Sequence, residues 1–75
     1  MKTILMTKAR AVEVFQLEHL PRVRSCYERD GIVDYPARRE EWNLFTDALC
    51  RAGLITQSQY ARWGHPSCCV NPRTA

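Results

Sequence analysis

Two short segments of this chain share one pattern: a glycine, two apolar residues and a helix-capping residue. They are Gly31-Ile32-Val33-Asp34 and Gly53-Leu54-Ile55-Thr56. Glycine adopts the left-handed conformation that ends helices, and Asp or Thr accepts hydrogen bonds from the first amides of the next helix. The pattern predicts two helix–helix junctions whose four apolar hinge residues are buried. An internal duplication would explain the repeat, but one good junction used twice is the simpler explanation.

Apolar residues recur with helical spacing along most of the chain, so the sequence predicts an all-α fold, a small bundle of three to four helices. The predicted helices cover about residues 9–30, 35–52 and 57–63. Pro21 lies inside the first of them and has no N–H to donate to the carbonyl of Leu17. That helix is therefore expected to kink or break at Pro21.

The helices are expected to form a single domain over residues 9–66. Residues 1–8 are predicted to be a loose N-terminal lead, and residues 67–75, which show no periodicity, a flexible C-terminal tail. A domain this short buries only about 60% of its unfolded-chain surface, which leaves little room for a deep substrate cleft. Val14 and Leu17 fall outside the main apolar face, so a homodimer that shares a core is a further expectation.

Charge and hydropathy narrow the class of protein. Eleven Lys and Arg against eight Asp and Glu give a net charge of +3, which permits contact with nucleic acid without favouring it. The N-terminus has too few consecutive apolar residues for a secretory signal, and no stretch approaches the roughly 20 that span a membrane. We therefore expect a cytoplasmic protein with no membrane partner and with reduced cysteines.

The cysteines and histidines raise the question of a metal site. His65, Cys68 and Cys69 are weak candidates for zinc ligands, because structural zinc sites usually pair their ligands as Cys-x2–4-Cys and the remaining ligands would have to come from helix interiors. The favoured interpretation is that no metal or other cofactor is bound. Cys26 and Cys50 are then small core residues, and the adjacent cysteines lie in the tail.

No sequence pattern of a catalytic site is present, so we expect a non-enzymatic protein without catalytic residues. His19 lies on an apolar helix face and is expected to be a core or interface histidine. The candidate partner-binding residues are arginines and aromatics, the types that dominate protein–protein hot spots. They are Arg38, Arg39, Tyr60, Arg62 and Trp63.

Residues 27–66 resemble short helical proteins of phages, prophages and other mobile elements of proteobacteria. The resemblance rests on Tyr27-Glu28-x-Asp30-Gly31-Ile32, on Arg39-x-x-Trp42-Asn43-x-Phe45-Thr46-Asp47-x-Leu49-Cys50, and on Gly53-x-Ile55-Thr56-x-x-Gln59-Tyr60-x-x-Trp63. It covers a little over half of the chain. Most of these positions are core and cap residues, so the resemblance describes a fold better than an activity, and it implies no functional residues.

What the resemblance implies is a context inside a bacterial host cell. Small proteins of mobile elements often bind and block host defence machinery, including CRISPR effector complexes, or regulate a few genes. The leading hypothesis is therefore a binding protein that blocks a host protein or ribonucleoprotein complex, as an anti-CRISPR protein does. One alternative is a small DNA-binding regulator that reads bases with the polar helix at residues 57–63. Another is a zinc- or redox-linked interaction module.

Overall fold

The computed structural model describes residues 5–73, and within that range the chain is helical without β-strands. The first helical rod consists of α1 (Lys8–Val14), a π-helical segment (Phe15–His19) and α2 (Leu20–Tyr27). It is followed by α3 (Tyr35–Arg51), α4 (Gln57–Arg62) and a 3-10 turn (Ser67–Cys69). The predicted all-α fold is confirmed. None of the helices in the described range has both the length and the apolarity needed to cross a bilayer.

Pro21 explains the change of helix type in the first rod. The π segment ends directly before α2, in which Pro21 occupies one of the first two positions. Proline has no N–H and its ring clashes with the carbonyl four residues back, so a regular α-turn is unfavourable at this point. The N–H of Leu20 donates instead to the carbonyl of Phe15, which gives the wider π pattern. The predicted break is thus a π-bulge inside a continuous rod.

α3 is the central helix of the core. It packs against α2, the π segment, α4 and the 3-10 turn. Trp42 is 1% exposed, and its ring meets the ring of Phe15 edge-on, with the centroids 5.4 Å apart. α3 also contributes Phe45 and Leu49, and the other elements together with the α3–α4 junction contribute the rest of the buried cluster. Its members are Ala11, Phe15, Leu20, Trp42, Phe45, Leu49, Ile55 and Cys69.

Gly53 ends α3 as the sequence predicts. The N–H of Leu54 donates to the carbonyl of Leu49 at 2.9 Å, and the N–H of Gly53 donates to the carbonyl of Cys50 at 3.1 Å. These are the two bonds of a Schellman motif, with the glycine at φ +77°. Ile55 is buried as expected, but Leu54 is 38% exposed, so only one member of this hinge pair enters the core.

The first junction is built differently from the second. α2 ends at Tyr27, before Gly31 is reached, and the N–H of Gly31 donates to the carbonyl of Glu28 in a turn beyond the helix. Because the chain has already left the helix, Ile32 and Val33 point outward and are 69% and 37% exposed. The expectation that this hinge pair is buried is wrong. The two segments share a sequence pattern without sharing a structure.

The N-terminal residues that the structure describes are anchored, contrary to the expectation of a loose lead. The N–H of Met6 donates to the carbonyl of Leu54, and the side chain of Gln59 donates to the carbonyl of Met6. Gln59 also forms the predicted capping box with Thr56. Thr7 is the N-cap of α1. Residues 1–4 lie outside the described range.

The segment expected to be a flexible tail is also packed. Cys69 has no exposed surface. The side chain of Arg38 donates to the carbonyl of Cys68 at 2.9 Å, and that of Arg39 donates to the carbonyl of Cys69 at 3.2 Å. The two arginines satisfy the carbonyls of the 3-10 turn and hold it on α3. The domain therefore continues past residue 66, while residues 74 and 75 lie outside the described range.

Replacing Gly31 or Gly53 by alanine is expected to destabilise the fold by about 1–2 kcal/mol. A Cβ at either position meets nothing within 4 Å, so the cost comes only from the positive φ angles of +80° and +77°. Gly64→Ala is the matched control, because a Cβ there also meets nothing within 4 Å and its φ is not positive. Urea denaturation measures the free energies of unfolding. Equal stability of the three variants would contradict the left-handed backbone conformation of Gly31 and Gly53.

Candidate binding surface

Arg38 was predicted to contact a partner, but its side chain is turned into the protein. Its guanidinium forms a bidentate ion pair with the carboxylate of Glu28, with Nε–Oε2 at 2.7 Å and Nη2–Oε1 at 2.8 Å. The side chains of the pair are only 9% and 6% exposed. The third guanidinium nitrogen of Arg38, Nη1, donates to the carbonyl of Cys68. Arg38 is therefore a structural residue, and the expectation that it is an exposed contact residue is wrong.

The ion pair is reinforced from the first junction. The backbone N–H of Asp34 donates to Oε2 of Glu28 at 3.0 Å. The hydrogen bonds from Arg38 hold the pKa of the Glu28 carboxyl below its ordinary value, although burial acts in the opposite direction. The same hydrogen bonds raise the pKa of Arg38. Both groups therefore stay charged, and the pair joins the end of α2 to α3.

The other predicted contact residues have diverse surroundings. Arg39 is half-buried and bound to the 3-10 turn. Trp63 is partly buried and packs against the core. Tyr60 is 38% exposed, and Arg62 is exposed with its Nε donating to the carbonyl of Ser58. Of the five predicted residues, Tyr60 and Arg62 on α4 present the most surface.

Of the weak metal candidates, His65 and Cys69 contact groups outside the set, and Cys68 contacts Cys69. Nε2 of His65 lies 3.1 Å from Oδ1 of Asn43. The thiol of Cys69 donates to the carbonyl of Arg38 at 3.6 Å, and its Sγ lies 3.9 Å from that of Cys68. Over residues 5–73, the structure contains no group of three or more Cys, His, Asp or Glu side chains placed to hold a metal ion.

His19 is a half-buried histidine with partners on each side, as its position on the apolar face predicts. Its ring lies 5.9 Å from the ring of Phe15 and 4.5 Å from that of Phe45, measured between centroids. Its Nδ1 lies 3.2 Å from Oε1 of Glu41. The histidine therefore joins the π segment to the outer side of α3.

That outer side of α3 borders a groove that sequence reasoning missed. The groove has a volume of about 310 Å³ and lies where the end of α2 meets the first half of α3. Its lining residues are Tyr27, Asp34, Pro36, Ala37, Glu40, Glu41 and Leu44. We name it the α2–α3 groove. The sequence signal was the helical spacing of Ala37, Glu40 or Glu41, and Leu44, which form one stripe along α3.

The α2–α3 groove combines exposed apolar side chains with carboxylates. Tyr27 and Leu44 are 63% and 59% exposed. All three charged lining residues are acidic, although the whole chain has a net charge of +3. Asp34 caps α3, and Glu41 faces His19, whereas the carboxylate of Glu40 makes no hydrogen bond or ion pair with the described residues. Within residues 5–73, Glu40 therefore has no cation of its own.

A second cavity, of about 440 Å³, lies between the start of α3 and the C-terminal segment. Tyr35, Cys68 and Val70 are among its lining residues. Its charged lining residue is Arg38, which is already paired with Glu28. This cavity therefore offers less to a charged partner than the α2–α3 groove does.

No family model matches the chain, and comparison with curated proteins and with solved structures also gave no match. The fold class, a small all-α protein, follows from the structure itself.

Replacing Arg38 by methionine is expected to cost about 3–5 kcal/mol, because it leaves the buried Glu28 carboxylate without its cation. A domain of this size has little more stability than that to lose. The double variant Glu28→Leu/Arg38→Met removes both charges and should be more stable than Arg38→Met alone. Thermal and urea unfolding, monitored by circular dichroism, measure the stabilities of the single and the double variant. A single variant as stable as the native protein would contradict the structural role of the pair.

The four cysteines should differ in reactivity. Burial raises the pKa of the Cys69 thiol to about 12. Cys26, expected in the core, is instead exposed on α2, while Cys50 and Cys68 are half-buried. Since the thiolate is the reactive form, iodoacetamide at pH 8 should alkylate Cys26 first and Cys69 last. Peptide mapping by mass spectrometry over time gives the order. Early labelling of Cys69 in the folded protein would refute the burial.

Proposed function

We propose that this protein is a non-enzymatic binding protein that acts by direct contact with a host protein or ribonucleoprotein complex. The observation that carries the proposal is the α2–α3 groove. In it, Tyr27 and Leu44 are more than half exposed and stand beside Glu40, which has no ion-pair partner among residues 5–73. Exposed apolar side chains bordered by charged ones are typical of protein–protein contact surfaces, since contact with a partner removes them from water.

The surface is apolar beyond the groove as well. Within the described range, the large hydrophobic side chains that are exposed are Leu5, Leu17, Tyr27, Ile32, Val33, Leu44, Leu54 and Tyr60. A short domain gains its stability from burying such groups, so leaving them in water forgoes part of that gain. A partner, or a second copy of the chain, would recover it.

The resemblance to short proteins of mobile elements supports a more specific form of the proposal. In that form the protein blocks a host defence complex inside the bacterial cell, as an anti-CRISPR protein does. Blocking by occlusion needs a stable domain with a contact surface and no chemistry of its own. The small size of the chain and the exposed groove suit that role.

A DNA-binding regulator is less well supported by the contacts of α4. The helix has six residues, and the side chain of Gln59 is engaged by the capping box and by the carbonyl of Met6. The Nε of Arg62 donates to its own helix at Ser58. A recognition helix needs its polar side chains free to reach base edges. The zinc-linked alternative is weakened in the same way, because His65 is engaged by Asn43.

Affinity capture from a lysate of the bacterial host tests the proposal. Tagged native protein should recover a stable partner, and Tyr27→Ala/Leu44→Ala should lose most of it, because the double variant removes the apolar anchors of the groove. Leu17→Ala is the matched control: Leu17 is 70% exposed but does not line the groove. Recovery of no partner, or equal recovery by the double variant, would count against the proposal. Circular dichroism checks that each variant is folded.

A further inference from the structure

We infer that the α2–α3 groove binds a helical segment of the partner that presents apolar side chains together with a lysine or arginine. This inference rests on the function proposed above and adds the chemistry of the segment that is recognised. It is carried by the shape of the groove, by its exposed anchors and by its charge.

The shape of the groove suits a helix. Ala37, Glu40 or Glu41, and Leu44 follow each other at the i, i+3/i+4 and i+7 positions of α3. They cover two turns, about 10 Å along the axis. Helices that bind in grooves present their anchor side chains with the same spacing. At about 310 Å³ the groove accepts a few such side chains rather than a whole folded surface.

Affinity in this arrangement would come from the apolar anchors. Tyr27 forms one wall from the end of α2, and Leu44 lies at the far end of the stripe, each more than half exposed. Ala37, also in the lining, is half-buried and small, so a partner helix can approach α3 closely there. Tyrosine is among the residue types that carry most of the binding energy at interfaces once a partner buries them, and burial of the leucine adds apolar area.

Charge decides which apolar segment is preferred. The groove has three carboxylates and no lysine or arginine among its lining residues. Two of the carboxylates already have partners, whereas Glu40 is exposed and has none among the described residues. A cation on the partner beside Glu40 would orient the segment and speed its association. An acidic segment would instead be repelled.

The start of α3 lies in the same groove, but it does not invite an anion. The N-terminal amides of a helix attract negative charge when they are free. Here Oδ1 of Asp34 accepts the N–H of Ala37 at 3.0 Å, so a carboxylate of the chain already occupies that position. A nucleic acid backbone would meet the same carboxylates. The groove is therefore assigned to a basic protein segment rather than to a nucleic acid.

Two designed helical peptides test this assignment by fluorescence anisotropy. They have the same leucine and alanine positions, but one carries lysines on its polar positions and the other carries glutamates. The lysine peptide should bind at least tenfold more tightly, and its affinity should fall as salt is added. The net charge of the chain, +3, acts in the opposite direction, so unspecific attraction would favour the glutamate peptide. Equal binding, or tighter binding of the glutamate peptide, overturns the inference.

Variants locate the binding. Glu40→Lys should lower the affinity for the lysine peptide at least tenfold, and Tyr27→Ala/Leu44→Ala should lower it further. The charge control is Glu18→Lys, which changes the net charge equally on an exposed residue that does not line the groove. It should bind the peptide as the native chain does. An unchanged affinity of Glu40→Lys overturns the inference.

The peptide experiment and the capture experiment fail in distinguishable ways. If the lysine peptide does not bind but the native partner is still captured through Tyr27 and Leu44, the proposed function stands and the basic segment is wrong. If the peptide binds but no partner is captured, the groove chemistry stands and the proposed function falls. If the groove variants change neither result, both are wrong.

Discussion

The buried ion pair between Glu28 and Arg38 is the interaction on which the rest of the structure depends. Burying two charges is unfavourable unless both are fully paired and hydrogen-bonded. Here the Glu28 carboxylate accepts two hydrogen bonds from the Arg38 guanidinium and one from a backbone N–H. The guanidinium also donates to the carbonyl of Cys68. In the described part of the chain, no buried side-chain nitrogen or oxygen lacks a partner. One pair thus connects the end of the first rod, the central helix and the C-terminal 3-10 turn.

The orientation of α3 follows from this pair. Once Arg38 faces inward, the helical repeat places Trp42 and Phe45 on the same buried side. The stripe that contains Ala37, Glu40 and Leu44 is then turned outward, next to the end of α2. The α2–α3 groove is therefore a consequence of how the core is packed. It leaves the two apolar side chains of Tyr27 and Leu44 in water.

The candidate site shows that residue type alone does not predict which side chains face a partner. Arginines and aromatics are typical of contact surfaces, and on that ground Arg38 and Trp63 were expected to face a partner. Both contribute to internal packing instead. Tyr27, the last residue of α2, is exposed and lines the groove. The spacing of the α3 stripe was readable in the sequence, but nothing local showed that α2 would stop beside it.

The sequence by itself determined α3 and α4, an irregularity of the first helix at Pro21, and the caps at Asp34, Gly53 and Thr56. These features depend on hydrogen bonds between residues a few positions apart, so neighbouring residues are sufficient to predict them. Only the tertiary structure decided which arginine is buried, why Cys69 is packed, and that the two glycine junctions differ. Arg38 pairs with a residue 10 positions away and with a carbonyl 30 positions away. Burial of a charge depends on such distant partners, which only the folded chain brings together.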